Sequence, residues 1–161
     1  MMLSQMRALS NLESNFSGRK GNNMNTDFRD AHERHWEDAE LLFEKNQWAN
    51  ADHLYGIAAE CGLKSLMLSF GMPFDSGKDR PQEPDDRTHI DTIQTRYETY
   101  RCQHPAGKYI LTNPSIFDDW KASQRYANRS NFDCIRATTH RKGAIDVCNI
   151  VRQAQLDGLL A

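Results

Sequence analysis

Arg136 and His140 form the pair in this chain best spaced for chemistry. Four positions apart on a helical stretch, they project to the same side. A histidine so placed can take or give a proton, and the arginine beside it can steady a phosphate. His140 also lies on the apolar stripe of its segment, so the competing reading is a partly buried, hydrogen-bonded packing residue. Arg125, Arg129, Arg136, Arg141 and Lys142 make the C-terminal third locally basic. Such a cluster can hold a phosphate-bearing ligand through charge-assisted hydrogen bonds. Asp118, Asp119 and Asp133 lie nearby and allow an ordinary solvated face instead. Trp120 and Tyr126 are shaped either to stack on a base or to anchor a core.

Other chemistry finds less support. His32 and His35 share the apolar stripe of the first helical segment, with Asp38 beyond. They are three apart, not four as a helical zinc pair requires, and no third ligand is close in sequence. They read as core-edge histidines, one of them holding Asp38; no metal and no cofactor is expected. Glu60 and Lys64 are spaced to pair along a narrow polar strip. Ser123 lacks a glycine-flanked nucleophile context, and no glycine-rich phosphate loop exists. Cys61, Cys102, Cys134 and Cys148 contain no Cys-x-x-Cys pair, which predicts reduced thiols and a cytoplasmic protein. The first residues lack the apolar run of a secretion signal, and no stretch reaches membrane-spanning length, so no membrane partner is expected.

These residues must be positioned by helices. With 161 residues, 39% of them hydrophobic and 26% charged, the chain suits one domain able to bury its own core. A net charge of −2 does not force a nucleic-acid partner, although a local basic patch remains open. Residues 1–25, rich in Ser and Asn, read as a flexible N-terminal arm. From Thr26, Phe28, Ala31, His32, His35, Ala39, Leu42 and Phe43 recur at helical spacing, with Thr26 or Asp27 as cap. After a break at Asn46–Gln47, a second helix runs to Gly71, with Pro73 as a further stop. It carries two apolar stripes, one through Trp48, Ala51, Tyr55, Ala59, Leu63, Leu66 and Phe70, the other through Leu54, Ile57, Cys61 and Leu68. A helix that must hide two faces belongs at the centre of a bundle or at a dimer seam, and the second stripe predicts a homodimer. Residues 72–87 read as an exposed loop. A third helix is expected over 88–100, a short one from Ser115, and a last one from about Ser130 to Leu156. No convincing strand is visible. The expected fold is an all-α, four-to-five-helix antiparallel bundle spanning 26–161.

The segments Ala31-His-Glu-Arg-His-Trp-Glu-Asp-Ala39, Trp48-Ala-Asn-Ala51 and Leu54-Tyr-Gly-Ile-Ala-Ala-Glu-Cys-Gly-Leu-Lys64 resemble the higher eukaryotes and prokaryotes nucleotide-binding (HEPN) superfamily. The central Ala59-Glu60-Cys61-Gly62-Leu63-Lys64 is similar to its Ala-Glu-x-x-Leu-Lys core. His89-Ile90 and Trp120-Lys-Ala-Ser-Gln-Arg125-Tyr126 are similar to later segments of bacterial members. The resemblance implies a helical bundle, frequent homodimers, and binding of a nucleotide, RNA or a partner protein such as a nucleotidyltransferase or an antitoxin. It also implies an alternative, a toxin-type, metal-independent RNase with Arg136 and His140 as catalytic pair. The family's Arg and His are further apart than the three residues that intervene here. The first expectation is therefore a binding module without clear catalysis, with Arg125, Arg129, Trp120 and Tyr126 as ligand candidates. A structural dimerising adaptor is the third reading.

Overall fold

The computed structural model describes residues 24–160; the expected arm over 1–25 lies almost wholly outside them. Helix α1 spans Phe28–Glu44. Asp27 caps it, its carboxylate accepting from the backbone N–H of Arg29 and Asp30. Asn46 adopts the left-handed region (φ 58°), which reverses the chain in a tight turn. Helix α2, Trp48–Ser69, returns along α1. It ends where Gly71 takes φ 94° and Met72 N–H bonds back to Met67 O at 2.9 Å.

Residues 72–87 depart from the expected open loop. Strands β1 (Phe74–Asp75) and β2 (Arg80–Pro81) form a minimal antiparallel ladder, Phe74 opposite Pro81 and Asp75 opposite Arg80. A 3₁₀ turn follows over Pro84–Arg87. It buries Asp86, which accepts from Arg96 Nε at 2.7 Å and Tyr100 Oη at 2.6 Å on helix α3, Ile90–Gln103. Asp79 receives the backbone N–H and hydroxyl of Thr26, tying this hairpin to the entrance of α1.

An irregular segment, 104–133, leads to the long helix α4, Cys134–Leu156, capped by Asp133. The expected short helix from Ser115 is instead a series of turns followed by 3₁₀ pieces at Ala122–Tyr126 and Arg129–Asn131. Tyr97 Oη donates to Tyr109 O at 2.5 Å, and Thr112 is held by Asp146 of α4, so the first part of this segment is fastened to α3 and to α4.

The four helices pack as an all-α bundle with α2 at its centre, in contact with α1, α3 and α4. Tyr55, Leu63, Leu66 and Met67 of α2 meet Ile90, Ile93 and Tyr97 of α3, Val147 of α4, and Phe117 and Trp120 of the irregular segment. Close approach is allowed by glycine: a Cβ on Gly56 would lie 2.3 Å from the Trp120 ring, and one on Gly143 would lie 2.6 Å from Phe117. The second stripe of α2 is only partly covered. Cys61 is buried, Leu54 and Ile57 are half-buried, and Leu68 is 37% exposed. Among the described residues no helix is long and apolar enough to cross a membrane.

Candidate functional site

Asp52 stands on the buried side of α2 and is 0% exposed. A carboxylate withdrawn from water must be matched by donors. Three side chains supply them. His140 of α4 brings Nδ1 to Oδ1 at 2.6 Å, while Gln124 Nε2 and Arg136 Nε reach Oδ2 at 2.7 and 3.3 Å. The imidazole of His140 is 1% exposed and stacks on Phe117 at 5.1 Å between centroids. Its Nε2 donates to Oδ1 of Asp119 at 2.9 Å. Because a carboxylate only accepts, both contacts are complete when each ring nitrogen carries a hydrogen.

Arg136 is used on all sides. Beyond Asp52, its Nη1 donates to Asp119 Oδ2, and Nη2 reaches the Asp119 carbonyl at 2.9 Å and Gln124 Oε1 at 3.3 Å. Burial pushes the Asp119 carboxyl up, but the bond from His140 and the charges of His140 and Arg136 together hold it below the usual aspartate range. The expected pair is thus brought together on one side of α4, as its spacing requires. It is built into a network that joins α2, α4 and the irregular segment.

The ligand candidates separate. Trp120 is fully buried: it rests on Gly56, stacks on His53 at 5.2 Å and directs Nε1–H at Asp52 O, 3.3 Å away. Tyr126 is 79% exposed, and the Arg125 guanidinium lies 4.7 Å over its ring. Arg129 borders a cleft of about 330 Å³ formed with Asn46, Gln47, Trp48, Asn50 and Phe132 at the start of α2. That end of α2 has no side-chain cap and no acidic residue in its first turn. Arg125 also acts at a distance on His53, whose proton affinity is lowered first by burial and then by the Arg125 charge.

The remaining histidines and the polar strip take structural places. His32 is buried and its Nδ1–H donates to Ala58 O at 2.8 Å. Nδ1 of His35 is buried without a partner, so that atom does not hold Asp38. Glu60 and Lys64 pair at 2.7 Å as expected, but buried: Glu60 also meets His89 Nδ1 at 3.0 Å, and Lys64 donates to Thr88 O. All four cysteines are free thiols. Among the described residues, no group of three or more His, Cys, Asp or Glu side chains is placed to hold a metal ion.

Asp52, Asp119 and Gln124 were not candidates on sequence grounds. One signal for Asp52 existed: it falls between Ala51 and Tyr55 on the inward side of an apolar helix, where an acidic residue needs a partner. Asp119 and Gln124 sit in irregular backbone and carry no periodic signal. No family model, curated protein or solved structure matches this chain.

Proposed function

We propose that this chain is a binding module without catalysis that takes single-stranded RNA across the face formed by Arg125, Tyr126 and Arg129. The observation that carries this reading is the Tyr126 ring, 79% exposed with the Arg125 guanidinium 4.7 Å above it. An aromatic left in water beside cations suits a base that stacks while its phosphates meet positive charge. Arg129 extends the positive charge towards the cleft at the uncapped start of α2. The absence of catalysis is supported by His140, whose two ring nitrogens are both engaged by side chains of the protein itself, Nδ1 by Asp52 and Nε2 by Asp119. The all-helical bundle is what the HEPN resemblance implies, and kinship with that superfamily is part of the same proposal.

Fluorescence anisotropy with a labelled single-stranded RNA tests the reading. Tyr126→Ala is expected to weaken binding by about 1–3 kcal/mol. Arg125→Ala and Arg129→Ala are each expected to lower the salt slope by about one. Absence of binding, or an affinity that survives loss of all three side chains, defeats the proposal. The RNA should remain intact in EDTA; cleavage abolished by His140→Ala would replace the non-catalytic reading with the RNase one.

A further inference from the structure

Arg136 and His140 aim donors at one point at the rim of the core, and the group standing at that point is a side chain of the same protein. Asp119 places Oδ1 on His140 Nε2 at 2.9 Å and Oδ2 on Arg136 Nη1. Two oxygens of one oxyanion, shared between an imidazole and a guanidinium, is the arrangement in which a carboxylate or a phosphate group is held. The two aspartates of the network differ in one decisive respect. Asp52 is sealed in the core, whereas the Asp119 side chain is 66% exposed and can be reached from solvent.

The donors do not need the Asp119 carboxylate to stay in place. His140 is braced from behind by Asp52 Oδ1 at 2.6 Å and by stacking on Phe117. Arg136 is braced by Asp52 Oδ2 at 3.3 Å, by the Asp119 main-chain carbonyl at 2.9 Å and by Gln124 Oε1 at 3.3 Å. Rotation of the Asp119 side chain about its own bonds leaves those contacts standing. It frees Nε2 of His140 and Nη1 of Arg136, still directed at the same place.

We propose that Arg136 and His140 form an oxyanion-binding site that the protein occupies with its own Asp119, and that a ligand bearing a carboxylate or phosphate group binds by displacing that side chain. The site is distinct from the Arg125–Tyr126–Arg129 face and does not depend on RNA binding. Its affinity in the native chain is reduced by the fraction of molecules in which Asp119 has swung out. Asp119→Asn removes the competing charge and leaves the donors in place.

Titration of the full-length Asp119→Asn protein with inorganic phosphate and with sodium acetate, followed by the ring ¹H–¹⁵N signals of His140, tests this. The expected result is a saturable shift of His140 at a concentration roughly tenfold or more below that needed in the native chain. The shift is expected to vanish in the Asp119→Asn, Arg136→Gln double variant. The tighter of the two anions identifies the ligand class. Failure of both anions to move His140, in the variant and in the native chain at high concentration, overturns the proposal; so does binding that survives Arg136→Gln. Asp119→Ser serves under the same criteria if the amide variant does not fold.

Discussion

Two aspartates share the same two partners, His140 and Arg136, and burial separates what each does. Asp52 has no access to water, so its hydration has been replaced in full by His140, Gln124 and Arg136. Removing it strands a buried imidazole and half of a guanidinium. Asp52→Ala should cost about 3–5 kcal/mol, the range for breaking a buried pair by deleting one partner. Asp119 can trade its contacts for water, and Asp119→Asn should cost about 1 kcal/mol. Urea unfolding of the two variants checks the contrast, and equal losses would refute it. The sequence expectation for His140, a hydrogen-bonded residue on an apolar stripe, describes its environment well. Its partners lay out of reach: helical spacing reports which residues share a side of one helix, not which side chain of another element comes to face them. Tyr126 illustrates the opposite limit. An aromatic among polar neighbours in irregular backbone has no period from which burial could be read, and it stands in water while Trp120, six residues earlier, fills the core.

Elements with a clear period were legible, and those fixed by single contacts were not. The two-stripe pattern of α2 places it correctly at the centre of the bundle, and Asn46, Gly71 and Asp27 mark its turn, its stop and the cap of α1. Between 72 and 87 the charges looked solvated. Asp86 is nevertheless buried, because Arg96 and Tyr100 on α3 offer it donors from one turn apart. The irregular segment depends in the same way on one side chain, Trp120, seated where Gly56 leaves α2 without a Cβ. Gly56→Ala would set a methyl 2.3 Å from that ring, and neither the helix backbone nor the indole can yield by so much without displacement. The expected cost is about 1–3 kcal/mol from overpacking. Trp120 should also move outward, giving a red-shifted tryptophan emission in the folded variant. Unchanged emission together with parental stability would mean that the indole is not seated as described.

Across the whole molecule, His32, His35, His53 and His89 fall into two electrostatic classes, and their linkage shapes its response to pH. Burial lowers the proton affinity of His32, His35 and His53 from the ordinary value of 6.5, more than offsetting the neighbours that favour protonation. His89 is raised above 6.5, chiefly by its hydrogen bond to Glu60. For the first class the unfolded chain takes up protons before the folded one. Their contribution is intact above pH 6.5 and is lost as the pH falls from 6.5 towards the lowered folded values. For His89 the sign is opposite: its contribution is complete below 6.5 and disappears as the pH rises through its raised folded value. Glu40, held below its ordinary 4.5 chiefly by the hydrogen bond from Arg141, adds a second loss at lower pH, as its carboxylate is protonated. The linkage of these four histidines therefore favours the region around 6.5 and weakens the fold on either side. Urea midpoints measured from about pH 5 to about pH 8 should fall on the acid side with a slope that His32→Gln reduces. On the alkaline side His89→Gln should flatten the curve and leave the acid limb as it was. An acid limb of unchanged steepness in His32→Gln would show that the buried ring bonded to Ala58 is not among the groups that charge when the protein unfolds.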